Sequence, residues 1–249
     1  MRCAMLFFAL VGGGCKFQAG GLGVEDAPDG GLQPIADLSE SSSPDLSGPS
    51  SPDLAEPDLA QPPPGPLLNG AVFDRPLTNV SLSNEGTLDW AHWALTVAGD
   101  FNHKSGAARI SNLSMIGNQA ARRTTQEVTA FSWSNGTPTA SMTDTRTAVF
   151  VQRTGSGFRF NVSCDGILHT LRVYVGGWRS RGRFEARFAD GTLSWADQSR
   201  MSFSDYDAMY RVELRCQPST MLVVDWLDVE DAGSDDDPGN VLLAAVTMQ

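Results

Sequence analysis

Three stretches of this chain set chemistry-bearing side chains close together. "EGTLDWAHW", from Glu85 to Trp93, holds two tryptophans, a histidine and two carboxylates in nine residues. In an extended strand Leu88, Trp90 and His92 share one face, while Asp89 and Trp93 share the other. One tryptophan then fills a core while its neighbour faces outward or ends the strand at a bend. Trp90 is the core residue on this reading, Asp89 and His92 are polar groups that tie the bend, and Trp93 and His92 are secondary ligand candidates. "GGWRSRG" sets Trp178 beside Arg179 and Arg181 in what reads as a turn. A tryptophan at a loop tip is a binding candidate, because its exposed ring stacks on sugar C–H faces while guanidinium groups bond the hydroxyls. Trp195, in "GTLSWADQS", is a weaker candidate of the same kind. A half-buried packing role is the plainer alternative for both. The third stretch, "DWLDVEDAGSDDDPGN", crowds Asp228, Glu230, Asp231, Asp235, Asp236 and Asp237 into one inter-strand loop. Oxygen donors at that density suit Ca²⁺, but the spacing matches no EF-hand. A solvated acidic loop is the plainer reading, with calcium as the alternative and no other cofactor implied.

Other chemistries find no support. The sequence has no nucleophile elbow, P-loop, HExxH or CxxC. His92, His103 and His169 are scattered without an i,i+4 pair, so no zinc site and no catalytic residue is assigned. The net charge of −11 argues against nucleic acid, whose phosphates need Lys and Arg. Arg179, Arg181, Arg183 and Arg187 alternate with small and apolar residues, as on the solvent face of a strand.

The elements that position these residues are strands. "HTLRVYVGGW" puts Leu171, Val173 and Val175 on one face. "RFEARFADG" puts Phe184, Ala186 and Phe188 on one face, with Arg183, Glu185 and Arg187 on the other. "MYRVELRC", "TMLVVDWLDV" and "NVLLAAVTM" follow, and "TNVSLS", "ARISNLSMI", "EVTAFSW" and "TAVFVQR" precede them. Turns are expected at "CDG", "GGWRSRG", "ADG" and "CQPS". No long stretch keeps a 3.6-residue period with caps. The fold class is all-β: an antiparallel two-sheet β-sandwich over residues 69–249.

Before Asn69 the composition differs. Ten of the fourteen prolines lie there, and all six tryptophans lie after it. The first 68 residues hold two basic and nine acidic residues, a net −7 against −4 for the rest. Pro-Asp-Leu recurs at Pro44, Pro52 and Pro57. Residues 16–68 therefore read as a disordered, semi-rigid, solvated tether. Residues 1–15, "MRCAMLFFALVGGGC", have one positive charge, an apolar run from Ala4 to Val11 and three glycines before Cys15. This is the layout of an export signal, too short to span a bilayer. Cys3 and Cys15 belong to the export segment, and Cys164 and Cys216 remain beyond it, each at a strand end before a turn. An oxidising compartment would join them in a disulfide, and two buried thiols are the alternative.

The glycines directly before Cys15 resemble the lipobox of bacterial lipoproteins, although Gly12 stands where that family has leucine or valine. The resemblance implies lipidation at Cys15. With Phe17 in place of the aspartate that retains such proteins at the inner membrane, it also implies an outer-membrane lipoprotein, periplasmic or surface-facing. From "NVSLSNEGTLDWAHW" onward the domain resembles an uncharacterised module of secreted bacterial proteins, many with Ig-like or carbohydrate-binding neighbours. The stretches that carry this likeness are "EGTLDWAHW", "FSWSNGTPTAS", "TLRVYVGGW", "ARFADGT" and "GNVLLAAVTM". The strand pattern is similar to that of jelly-roll and galactose-binding-like modules. The expected function is non-catalytic binding of a cell-envelope or extracellular polysaccharide through Trp178, Arg179 and Arg181, with Trp93 and His92 second. A structural or adhesive protein that binds another surface protein is the first alternative, and a glycan-active enzyme is the second.

Overall fold

A computed structural model describes residues 64–75 and 79–249. The export signal, Cys15 and the tether to residue 63 lie outside the described residues. The first strands are β1 (Leu67–Asp74), β2 (Val80–Ser81), β3 (Asp89–Trp93), β4 (Phe101–Lys104), β5 (Ser114–Ile116) and β6 (Arg122–Thr124), with a one-turn helix α1 (Leu82–Glu85) after β2. Then come β7 (Phe131–Trp133), β8 (Gly136–Thr137), β9 (Met142–Thr145), β10 (Ala148–Gln152) and β11 (Gly157–Ser163). The longest strands close the chain: β12 (His169–Phe188), β13 (Ser194–Asp197), β14 (Met201–Arg215), β15 (Met221–Asp231) and β16 (Asn240–Met248).

The protein is all-β, as the alternation requires. Thirteen strands form one curled antiparallel sheet, and β2, β7 and β9 form a second, small one. The curl comes from β12. Its first half, Leu171–Trp178, pairs with β16, and its second half, Ser180–Phe188, pairs with β15. β14 runs along the first half and across the junction. The alternation then sorts the side chains: Leu171, Val173, Val175, Phe184, Ala186 and Phe188 all enter one core with Trp226 and Tyr210. Each of the valine, leucine and phenylalanine side chains contributes about 2 kcal/mol by leaving water.

"GGWRSRG" is not a turn. It is the middle of β12, and its glycines serve close packing instead. A Cβ on Gly177 would lie 2.5 Å from the Tyr206 hydroxyl, and one on Gly182 would lie 1.9 Å from the Trp226 ring. The irregularity is a register shift between Trp178 and Ser180, absorbed at Arg179, whose φ is 46°. Strand pairing on both sides outweighs the local turn propensity of glycine.

The other face of the large sheet carries a second core. Trp90, Tyr174, Ala244 and Ala245 pack there against Leu82 of α1 and Phe131 and Trp133 of β7. Covering both faces explains "DWAHW": all five residues of β3 are buried. Trp90 is core, as the face assignment requires, but Trp93 does not face outward. It belongs to the first core with Ala91 and stacks on Phe101 at 6.0 Å. Its indole N–H donates to Asn112 Oδ1 at 3.0 Å. Asp89 is a hydrogen-bonding tie, but to a distant segment and not to a bend of its own strand: its Oδ2 accepts from the backbone N–H groups of Arg109 and Ile110, between β4 and β5.

Cys164 and Cys216 form a disulfide with their Cα atoms 5.4 Å apart. It joins the end of β11 to the end of β14, across 52 residues. Loop closure of that length stabilises by about 4 kcal/mol on a chain-entropy account. A disulfide belongs to an oxidising compartment, outside the cytoplasm. Among the described residues no helix is long and apolar enough to cross a membrane.

Candidate functional site

The register of four neighbouring strands builds a pocket. Trp178 of β12 lies between Asp205 of β14 and Asn240 of β16, and Asn240 lies beside Gln152 of β10. Two residues along, the row is Asp207, Gly176, Leu242 and Phe150. Side chains two apart on a strand share a face, so these eight residues form one patch. Gly176 lets Asp207 pack close against β12, since a Cβ there would meet the Tyr206 carbonyl oxygen at 2.7 Å and Asp207 Oδ1 at 2.8 Å. Thr124 at the end of β6, the chain that follows it (Gln126, Glu127, Val128) and Asp237 from the β15–β16 loop wall this floor. The pocket holds about 450 Å³, within the range of small-molecule sites. Tyr206, from the neighbouring position of β14, completes it.

A buried arginine underlies one wall. Arg75, just past β1, has a fully covered side chain. Its Nη1 donates to Asp207 Oδ1 at 2.7 Å and sits 2.6 Å from Glu127 Oε2. The same guanidinium lies over the Phe131 ring, 5.6 Å from its centre. Burial pushes the Glu127 carboxyl up to about 7. The Arg75 charge pulls it down, and the nearby charges of Asp207 and Asp205 push it up again. Burial wins because one guanidinium serves two carboxylates. Burial also raises the Tyr206 phenol, which stays a neutral donor beside Ser180 Oγ at 3.2 Å.

The sequence candidates fare unequally. Trp178 lines the pocket, from a strand rather than a loop tip. Arg179 covers one face of its ring, 4.4 Å from the centre, and its Nη1 is 3.5 Å from Asp237. Arg181 is not in the lining; it pairs with Glu230 at 2.8 Å. His92 and Trp93 are 0% and 1% exposed, so both lie inside the cores and present no surface to a ligand. Trp195 is half-buried against Phe184 and Tyr210.

The acidic stretch does not converge. Among the described residues no group of three carboxylate, histidine or cysteine side chains is arranged to hold a metal ion. Asp228 is buried in β15, and Glu230 faces Arg181. Asp231 Oδ1 accepts from the Gly233 and Gly239 N–H groups, which folds the loop on itself. Asp235 and Asp236 are exposed, and Asp237 turns to the pocket.

Sequence reasoning missed Glu127, Asp205, Asp207, Gln152 and Asn240. Asp205 and Asp207 left one local signal, two acids at i and i+2 in a strand pattern. Their convergence with Gln152 and Asn240 depends on register between distant strands, which no local pattern shows.

No protein-family profile and no curated protein matches this chain. Among solved structures it is similar to the enzymatically active domain of tailspike protein 4 of bacteriophage CBA120. The TM-score is 0.32 and the identity 11%, over 57% of this chain and 20% of that one. This chain thus spans one fifth of that structure's length, and at such a likeness neither fold nor activity transfers.

Proposed function

We propose that this is a lipid-anchored cell-envelope protein whose β-domain binds carbohydrate, without catalysis, in the pocket floored by Trp178. The observation that carries this reading is the make-up of the pocket: Trp178, Tyr206 and Phe150 offer ring surfaces beside the amides of Gln126, Gln152 and Asn240 and the carboxylates of Asp205 and Asp207. Rings cover the C–H faces of a sugar while amides and carboxylates bond its hydroxyls, each interaction contributing about 1 kcal/mol. Binding is favoured over cleavage because Glu127 is 4% exposed and held beside Arg75. A general acid has to reach the glycosidic oxygen.

A glycan array tests the pocket. Wild type is expected to bind a set of saccharides that Trp178→Ala loses, about tenfold or more in affinity. Binding unchanged in Trp178→Ala removes this site, and no glycan bound by wild type favours the adhesive alternative. The anchor is tested separately. Labelled palmitate is expected in the protein expressed in a bacterium with two membranes, and is expected to be lost in Cys15→Ser; equal labelling of the two would refute lipidation at Cys15.

A further inference from the structure

We infer that the ligand is a chain of linked sugars and not a single terminal unit: an extended, β-1,4-linked glycan that leaves the pocket over its rim and lies on Phe203, a second stacking platform beyond Trp178. The inference rests on the saccharide reading and narrows it.

Phe203 lies on β14, two residues before Asp205, and outside the pocket lining. Alternation puts it on the face that carries Asp205 and Asp207. Ser202 and Ser204 turn to the opposite face, where their hydroxyls meet at 3.1 Å. Phe203 is therefore the next side chain met on leaving the pocket along β14. It is 73% exposed, more than any other large apolar residue among those described.

A lone exposed apolar residue needs no explanation. Phe203 is continuous with the pocket, however. Trp178 pairs with Asp205, so Phe203 stands at the diagonal position from Trp178, about 7–8 Å away in a regular antiparallel pair. The register shift falls at this point. Between the pairs Trp178–Asp205 and Ser180–Ser202, β12 places Arg179 alone and β14 places Phe203 and Ser204. Two residues opposite one make a bulge, a device that re-aims side chains at the edges of sites. On the strained side of that bulge Arg179, with φ 46°, lies over one face of the Trp178 ring. Phe73, another exposed aromatic on this face of the sheet, lies under the Arg211 guanidinium at 5.1 Å. The ring of Phe203 stays open to solvent.

One pyranose ring is too narrow to cover both platforms, so two linked units are needed to use them. Both platforms rise from the same side of one sheet. The chain that crosses them has to stay extended and keep a flat face toward the protein at each unit. An all-equatorial β-1,4 linkage does this, because it forms a ribbon whose rings carry axial C–H groups on both faces. An α-1,4 linkage coils and lifts the second unit away. Each ring face covered removes apolar surface from water on both partners, and the Arg179 guanidinium at the rim offers donors to hydroxyls of the chain.

Titration calorimetry of the full chain tests this with cello-oligosaccharides and N-acetylated chito-oligosaccharides, each as monomer and tetramer, and with maltotetraose as the coiled control. In at least one β-1,4 series the tetramer is expected to bind about fivefold tighter or more than the monomer. That ratio is expected to collapse toward one in Phe203→Ala and to persist in Phe203→Trp. The exposure of Phe203 keeps either substitution harmless to the fold. A ratio unchanged in Phe203→Ala, or monomer and tetramer bound equally by wild type, overturns the second platform and leaves the saccharide reading standing. A gain for maltotetraose as large as for the β-1,4 tetramers overturns the ribbon assignment, as does binding of neither β-1,4 series while the array retains other glycans. Binding of neither series with a blank array removes both the chain inference and the saccharide reading.

Discussion

Acidification is expected to destabilise the β-domain by about 5 kcal/mol through His92 alone, and His92→Phe is expected to abolish that part of the loss. His92 is fully buried between the two sheets, its ring centre 5.2 Å from Trp133 and 5.8 Å from Phe131. Burial pushes its pKa down from 6.5 to about 3. The Thr147 backbone offsets a part, and the charges of Arg75 and Arg123 add to the depression. In the unfolded chain the imidazole takes up a proton below its ordinary value, while in the fold it does not do so until about pH 3. The unfolded state thus binds more protons throughout that window, and stability falls as pH falls through it. Glu127 and Asp228 act in the opposite sense. Burial raises them to about 7 and about 6, so they favour the fold at low pH. The decisive quantity is therefore the difference between wild type and His92→Phe in urea midpoints across pH. That difference is expected to be small at pH 7, because phenylalanine suits the aromatic surroundings. It should grow steadily in the variant's favour below pH 6. Parallel curves for the two proteins would mean that the folded state protonates this ring freely.

His92 also shows where the sequence is legible. "DWAHW" looks like a reactive cluster because it is rich in functional side chains, and it is rich because both faces of β3 are covered. Two-sided burial erases the alternation that would have told inside from outside. Where one face is wetter, as with Arg183, Glu185 and Arg187 opposite Phe184, Ala186 and Phe188, the periodicity reads correctly. The disulfide was legible too, because cysteines at strand ends are few enough to pair by elimination. "GGWRSRG" misleads for a different reason. Glycine marks a turn only when the chain needs its freedom; here Gly177 and Gly182 make room for Tyr206 and Trp226. The pocket was half legible. Trp178 was found from its neighbours in sequence, but its partners lie on β10, β14 and β16, and their register is a property of the whole sheet.

Arg75→Met is expected to cost about 3–5 kcal/mol at pH 8 and distinctly less at pH 5. Arg75 ties one wall of the site to both sheets: it touches Asp207 on β14, the Val175 carbonyl on β12, Glu127 in the wall and the Phe131 ring of the small sheet. Methionine fills much of the same volume but supplies no charge, so Glu127 and Asp207 lose their shared cation. At pH 8 both carboxyls then face burial as anions, one of them almost fully covered. At pH 5 Glu127 keeps its proton in either protein, since burial already holds it near 7 with Arg75 present. Only Asp207 loses a partner there, and its side chain is 21% exposed to water. Stability by urea unfolding at the two pH values reads the difference directly. The double variant Arg75→Met with Glu127→Gln is expected to recover a large share of the loss at pH 8 and little at pH 5, a coupling that independent effects would not produce. A pH-independent loss, or a double variant no better than the single one, would show that Arg75 acts through packing on Phe131 and not through the carboxylates.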